Sequence, residues 1–454
     1  MKYYIWTSGC QMNVADSRRV ASALERLDYL PTSRAEDADV VVLNTCVVRR
    51  SAEESAKGRI GSLRGVKEKN PDVVINVMGC LVGVNGYGEL AKEYPYVDVF
   101  SPPSDPGPLL AYLTQDKTKE YQREATSRRF AFMDGDLALP AGDQSRLVSA
   151  FVPVVLGCSH ACTYCIIPYR RGVERSRPLE DVLNEVCSLV SQGVKEVTFL
   201  GQIVDRYGLD LPQKTHLTNL LQKAHSIQGL ERIRFLTSHP TWFDRDLMEA
   251  VAALPKVMPH IEVPNQSGDD EILKAMRRGY TADEYRSLIR EIRDRIPEVS
   301  IATDLIVGFP GETKEQFQNT YRLMKELRLD VTHIARYSVR PQTVASRKMV
   351  DDVDPEEKWR RFRLLESLQE EISSEITAEY QGKRVEVLFE GRDRKGRWRG
   401  RTPNYKLVFV DAERNLRGKT LPVRISWAGP WSMQGRLISD QHRTSTPAAR
   451  KREL

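Results

Sequence analysis

No stretch of this 454-residue chain stays apolar for long. Its hydrophobic segments are short and broken by charge, so none approaches the roughly 20 apolar residues of a membrane span, and no membrane partner is expected. The opening MKYYIWTSGCQMN lacks the apolar core of a signal peptide. Cysteine is sparse and odd in number, at 7, which argues against a disulfide framework and for a reducing, cytoplasmic setting. No Ser–His pair or carboxylate dyad stands out as hydrolytic machinery. A second C-x2-C pair, which zinc sites usually show, is also missing.

What remains is an ordinary soluble composition, 41% hydrophobic and 29% charged, with length for about three domains. The net charge of +6 is unevenly spread. Residues 377–438 hold 14 Lys+Arg against 6 Asp+Glu, residues 439–454 hold 4 against 2, and residues 1–376 come to −4. All the surplus positive charge therefore lies in the last sixth of the chain, a footprint for a polyanion such as RNA or DNA.

The densest chemical signal is Gly157 to Arg171, GCSHACTYCIIPYRR, in which Cys158, Cys162 and Cys165 stand at C-x3-C-x2-C. Three thiolates on one short loop can converge on a single metal centre. A structural zinc would need a fourth ligand, His160 or a distant residue. A cubane iron–sulfur cluster held by three cysteines leaves one iron open to a non-protein ligand, and hence to chemistry.

Residues 2–100 alternate strands and helices, which implies a parallel sheet with helices on both faces. The strands expected are Lys2–Thr7, Asp39–Thr45, Asp72–Met78 and Tyr96–Phe100, with helices over Ala15–Leu27 and about Ser51–Lys69. Cys10, Cys46 and Cys80 each follow one of the first three strands. Parallel strands point the same way, so the three thiols are expected at one carboxyl edge, where open α/β sheets place their sites. Small residues in tight turns are the bland alternative. Asn44 and Cys187, the latter on the expected buried face of a helix, read as structural.

The proline-rich SPPSDPGP and the polar run after it read as connecting chain. From about Arg146 to Ile376 strands and helices alternate again, with strands at Phe151–Leu156, Glu196–Leu200, Arg232–Leu236, Met258–Val263, Ser300–Val307 and Val331–Tyr337. Six β/α units are fewer than the eight of a closed barrel, and the Cys158 loop follows the first strand, on the face where barrels keep their chemistry. Gly201, Gln202, Ser238, Gln266 and Gly308 stand at later strand ends, although glycines also suit turns and Ser238 also suits a helix cap. Residues 382–438 alternate in short runs, predicting a small antiparallel β-barrel. There Arg397, Trp398, Arg399, Arg401 and Tyr405 combine cations for phosphates with rings for unpaired bases, unless the run is simply a solvated hairpin.

The cysteine loop followed by Ile-Ile-Pro resembles that of the radical S-adenosylmethionine (SAM) enzymes. Thr7-Ser8-Gly9-Cys10-Gln11-Met12-Asn13, Asn44-Thr45-Cys46-Val47-Val48-Arg49 and Met78-Gly79-Cys80 resemble the N-terminal domain of the methylthiotransferases, and Gly400-Arg401-Thr402 with Asn404 resembles the RNA-binding TRAM domain. The Gln-Met-Asn after Cys10 resembles the branch acting on N6-dimethylallyladenosine. The branches acting on threonylcarbamoyladenosine or on an aspartate of ribosomal protein S12 usually differ there. The resemblance implies two 4Fe-4S clusters, a radical SAM cluster on Cys158, Cys162 and Cys165 and an auxiliary one on Cys10, Cys46 and Cys80. It also implies SAM contacts from Gly201, Gln202, Ser238, Gln266 and Gly308.

The fold implied is an N-terminal parallel α/β domain (residues 1–115), a linker (116–145), a partial (β/α)6 radical SAM barrel (146–376), a TRAM-like barrel (377–439) and a disordered tail (440–454). The activity implied is methylthiolation of carbon 2 of N6-dimethylallyladenosine at tRNA position 37, beside the anticodon. One SAM methylates a sulfur carried at the auxiliary cluster, and a second yields the radical that activates the C–H bond. The anticodon stem-loop, an external low-potential reductant and a sulfur donor are the implied partners. An iron–sulfur RNA-binding or redox-sensing protein is the non-enzymatic alternative. The chain departs from common family patterns at Ile203, Glu262 and Asn265.

Overall fold

The computed structural model describes residues 1–115 and 137–438, so most of the expected linker and all of the expected disordered tail lie outside the described residues. The chain divides into two compact units, residues 1–369 and 370–454. Among the described residues, no helix is long and apolar enough to cross a membrane.

The first unit opens with five parallel strands, β1 (Lys2–Thr7), β2 (Leu30–Pro31), β3 (Val40–Thr45), β4 (Val74–Gly79) and β5 (Val99–Ser101), in the order β2-β1-β3-β4-β5. The run VVVLNT makes β3 buried on both faces. Its alternating side chains feed two cores, Val41 and Leu43 on one side of the sheet, Val40 and Val42 on the other. The first helix runs over Gln11–Glu25, starting directly after Cys10 and four residues before the expected Ala15. The expected helix from Ser51 to Lys69 is two, Arg50–Ser62 and Arg64–Lys69. Within SPPSDPGP and beyond, read as connecting chain, Gly107–Leu113 is helical, because its proline falls in the first turn, where no backbone donor is lost.

The six central strands are β6 (Ser149–Pro153), β9 (Glu196–Leu200), β10 (Arg232–Leu236), β11 (His260–Glu262), β12 (Ser300–Val307) and β13 (Val331–Arg336). They form two parallel three-stranded sheets, β6-β9-β10 and β11-β12-β13, bridged at Ile233 and Val257. Among the described residues β6 and β13 do not pair, so the barrel stays open. One expected strand, Phe151–Leu156, is two pieces: after β6 the chain turns into β7 (Val155–Leu156), which pairs antiparallel with β8 (Arg175–Ser176). That short hairpin encloses the whole cysteine loop.

A buried ion network ties the N-terminal and central parts of this unit. Glu185, on helix Leu179–Ser191, is 2.5 Å from Arg19 of the first helix and 2.5 Å from Arg177. Burial opposes the Glu185 charge, but the two guanidiniums outweigh it and hold the carboxyl below its ordinary pKa. Arg177 also donates to Pro153 O at 2.9 Å, which fixes the end of β6.

In the second unit β14 (Arg384–Arg392), β15 (Trp398–Arg401), β16 (Leu407–Val410), β17 (Thr420–Ala428) and β18 (Met433–Leu437) close a barrel in the order β14-β15-β16-β18-β17. Every neighbour pair is antiparallel except β16–β18, which is parallel. Val387, Phe389, Val408, Val423, Ile425 and Met433 fill its core.

Removing the shared carboxylate of the ion network would take from two buried arginines the partner that each holds at 2.5 Å. Glu185→Ala is expected to cost about 3–5 kcal/mol, read as a lowered midpoint in denaturant unfolding followed by circular dichroism.

Candidate active site

Each cysteine of the N-terminal part is set by a strand end. Cys10 occupies the cap position of helix Gln11–Glu25, Cys46 follows β3 and Cys80 follows β4. Gly9 has φ +123°, and a Cβ there would lie 2.5 Å from Cys46 Cβ and 3.1 Å from its Sγ. Only glycine lets the two cysteine loops approach so closely. Asn13 clamps them: its amide donates to Ser8 O, Thr45 O and Asn44 Oδ1 at 3.0–3.1 Å. Asn44 returns a bond to Asn13 O at 2.8 Å, which makes its role structural.

The second triad rides on the loop closed by β7 and β8. Cys158 N–H donates to Gly172 O at 3.1 Å, drawing the loop ends together. Gly157 has φ +69°, and a Cβ there would lie 2.2 Å from Val173 O. The backbone leading back into β8 leaves no room for a side chain beside the first cysteine of the triad.

All six cysteines line one cavity of about 660 Å³. Gly201, Gln202, Ser238 and Gln266 line it too, at the ends of β9, β10 and β11. Gly308 does not. Its N–H donates to Glu312 Oε2 at 2.6 Å, and the stem of Lys358 packs against its α-carbon, so the turn after β12 serves packing and not the cavity. Ser238 does not cap the following helix, whose cap is Asp244. Its Oγ, with the Nε2 atoms of His160 and His239, is buried without a hydrogen-bond partner while lining the cavity. Cys187 is exposed, not on the buried face as expected.

The thiols differ in their electrostatics. Burial raises Cys46 and Cys158 to about 11 and Cys165 to about 12, with neighbouring thiols adding to the shift. Burial also raises Cys80. Cys162 is lowered: burial pushes it up, but a His160 hydrogen bond and the Arg278 charge together outweigh that. Arg278 Nη1 lies 3.3 Å from Cys162 Sγ, and Arg171 Nε lies 3.2 Å from Cys80 Sγ. Sequence reading missed both arginines as site residues. For Arg171 the signal was its place in the cysteine loop. His239 is held neutral, lowered to about 2 by burial first and then by Arg278.

Among the described residues, no three His, Cys, Asp or Glu side chains converge on a single metal ion. Cysteines of a cubane bind separate irons and need not converge on one point. Six uncrosslinked thiols on one cavity, with unpartnered polar atoms beside them, fit two such clusters and a polar cofactor.

On the barrel unit the expected RNA surface divides. Trp398 is a core residue, 4% exposed, with Nε1 donating to Ala412 O at 3.1 Å, so its faces are closed to a base. The alternation of β15 turns it inward and leaves Arg399 outward. Arg397 pairs with Asp393 at 2.8 Å and lies over Phe409, while Arg401 lies over the Tyr405 ring at 4.1 Å. The exposed rings are Trp427 and Trp431, 49% and 56% accessible, missed in the sequence although WAGPW flags a turn flanked by aromatics.

Three family models match the chain: the Radical SAM superfamily over residues 152–324, the Uncharacterized protein family UPF0004 over residues 2–101, and the TRAM domain over residues 378–438. The tRNA-2-methylthio-N(6)-dimethylallyladenosine synthase of Chloroflexus aurantiacus is 45% identical over 96% of this chain and 91% of its own length. The enzyme of that name from Herpetosiphon aurantiacus is 45% identical over 97% of this chain and 98% of its own. Among solved structures, the radical S-adenosylmethionine methyltransferase TsrM from Kitasatospora setae, with cobalamin and a 4Fe-4S cluster bound, is similar at a TM-score of 0.55. That likeness covers 76% of each chain at 17% identity and is one of fold alone. Identity of this extent with enzymes so named, in the order of domains read from the cysteine motifs, places the chain in the tRNA-2-methylthio-N6-dimethylallyladenosine synthase family of radical SAM proteins.

Proposed function

We propose that this protein methylthiolates carbon 2 of N6-dimethylallyladenosine in tRNA, at position 37 beside the anticodon, using two 4Fe-4S clusters and SAM. The observation that carries the reading is the single cavity lined by all six cysteines. Cys158, Cys162 and Cys165 hold the radical SAM cluster, and Cys10, Cys46 and Cys80 the auxiliary one. Reductive cleavage of SAM supplies a radical strong enough for an aromatic C–H bond, which acid–base groups alone could not activate.

The chain's own residues supply the surroundings of that chemistry. Gly201, Gln202, Ser238 and Gln266 offer SAM contacts, and the unpartnered Ser238 hydroxyl supports this, since a buried hydroxyl left unbonded is costly until a ligand satisfies it. Asp205 is raised to about 8, chiefly by burial, and accepts from His239 N at 2.9 Å, which fixes the loop after β10. Arg397, Arg399, Arg401 and Tyr405 belong to the proposed RNA surface. Trp427 and Trp431 replace Trp398 as its stacking faces. An external low-potential reductant and a sulfur donor complete the cycle, and the protein works in the cytoplasm on the anticodon stem-loop.

The deciding experiment is anaerobic reconstitution with iron and sulfide, then turnover on tRNA carrying N6-dimethylallyladenosine, read by nucleoside mass spectrometry. A methylthio product is expected, with about eight irons per chain. Cleaved SAM without modified nucleoside would move the substrate to threonylcarbamoyladenosine or a protein aspartate, and zinc in place of iron would end the reading. Cys158→Ala is expected to abolish SAM cleavage, whereas Cys10→Ala keeps it and loses the methylthio product.

Gly157→Ala forces a Cβ against Val173 O. It is expected to lower reconstituted iron from about eight to about four per chain, with SAM cleavage lost. For RNA binding, the logarithm of affinity should fall with log salt by roughly 0.7–0.9 per phosphate neutralised. Arg399→Ala is expected to reduce that slope by about 1 in filter-binding assays across salt. A flat salt response would remove the barrel from the RNA surface.

A further inference from the structure

Arg171 is the last residue of helix Ile167–Arg171 and lies six positions beyond Cys165, on the loop of the radical SAM triad. Its guanidinium nonetheless turns to the other triad. Nε is 3.2 Å from Cys80 Sγ, and Nη2 donates to Asn13 Oδ1 at 2.9 Å, the atom that also faces Cys10 Sγ at 3.6 Å. The side chain is 1% exposed, with Asp16 at 3.8 Å. A guanidinium is not deprotonated in proteins, so the cation persists in this buried position.

A fixed, water-shielded cation with an N–H aimed at a ligand sulfur has a definite consequence for an iron–sulfur cluster. Adding an electron makes the cluster and its thiolates more negative, and the guanidinium stabilises that reduced form more than the oxidised one. Net charge, hydrogen bonds to sulfur and solvent exposure are the levers a protein has on such potentials, and all three meet at this one side chain. Asp16 partly offsets the charge, but the directed hydrogen bond to Cys80 remains.

We propose that Arg171 is a positioning residue of the auxiliary site, supplied by the loop of the other cluster, that raises the auxiliary cluster's reduction potential through Cys80. This rests on the reading that Cys10, Cys46 and Cys80 hold a 4Fe-4S cluster. The two sites are then coupled by construction: the auxiliary site acquires its cation only when the radical SAM loop is folded in place. Arg278 stands in the corresponding relation to Cys162 but comes from beyond β11, outside both cysteine loops.

The test uses the full chain with Cys158, Cys162 and Cys165 all changed to Ala, so that one cluster remains, reconstituted anaerobically. Iron content and the spectrum of the dithionite-reduced cluster report whether the triad holds it. Potentiometry followed by electron paramagnetic resonance then gives its midpoint. Arg171→Gln is expected to keep the iron and lower the midpoint by at least the tenfold equivalent of a one-electron couple, about 59 mV. Arg171→Lys is expected to lower it less, since the charge stays and the planar fork is lost. An unmoved midpoint in Arg171→Gln, or equal shifts in both variants, overturns the proposal while leaving the cluster assignment intact. If Arg171→Gln binds no iron, Arg171→Lys decides: a lowered midpoint supports the role and an unmoved one overturns it. A triple-Ala parent that binds no iron overturns the underlying assignment instead.

Discussion

A parallel strand delivers its following loop at one end only, and the active site depends on that constraint. In the N-terminal sheet β1, β3 and β4 run side by side, so Cys10, Cys46 and Cys80 leave the sheet at the same edge although some 35 residues separate each from the next. In the open barrel β6, β9, β10 and β11 do the same for the second cysteine loop and for Gln202, Ser238 and Gln266. Both edges reach a single cavity, which is how a chain with only seven cysteines brings six of them together. The Arg19–Glu185–Arg177 network holds the two edges in this relation, because it joins the helix that begins at Cys10 to the helix that follows the radical SAM loop.

The same economy governs charge. Three of the largest wholly buried side chains are arginines, Arg171, Arg177 and Arg234. Arg177 and Arg234 face carboxylates, at 2.5 and 2.9 Å, and serve packing. Arg171 faces a thiol as well, with Cys80 Sγ at 3.2 Å and Asp16 at 3.8 Å. Isolated buried charge is strongly disfavoured, so a cation held beside thiols makes physical sense where those thiols carry negative charge in the working protein. The arginine and the cysteine triad are therefore two halves of one electrostatic arrangement.

Much of this was legible in the sequence, for a physical reason. Strands such as Glu196–Leu200 and Ser300–Val307 are mostly apolar or β-branched and largely buried, and their bounds match those read from the sequence. Cysteine positions relative to strand ends followed from them. What the sequence hid were long-range pairings and the direction in which single side chains turn. Val155 and Leu156 look like a continuation of β6 until Arg175 and Ser176 return to pair with them. Trp398 sits in a run of arginines and reads as exposed, but β-strand alternation turns it into the barrel core. Gly308 follows a strand end as expected, yet Lys358, some fifty residues on, fills the space beside it. Cys187 falls on the outer side of an amphipathic helix by one step of the helical wheel.

The departures from the common family pattern have a related logic. Ile203, where an amide is common, is buried against Cys158 and Ile167, so it seals the cysteine loop from water. Asn265 uses its amide locally, donating to Ser267 O at 2.7 Å, and stabilises the turn that presents Gln266 to the cavity. Glu262, where histidine is common, lines the cavity together with the six cysteines. Burial first, and the neighbouring Asp304 second, raise it to about 8, so at neutral pH it stands mostly protonated. A neutral carboxylic acid, like a neutral imidazole, offers one donor and one acceptor. The substitution thus changes the residue while keeping a group at that place in the cavity that can both donate and accept.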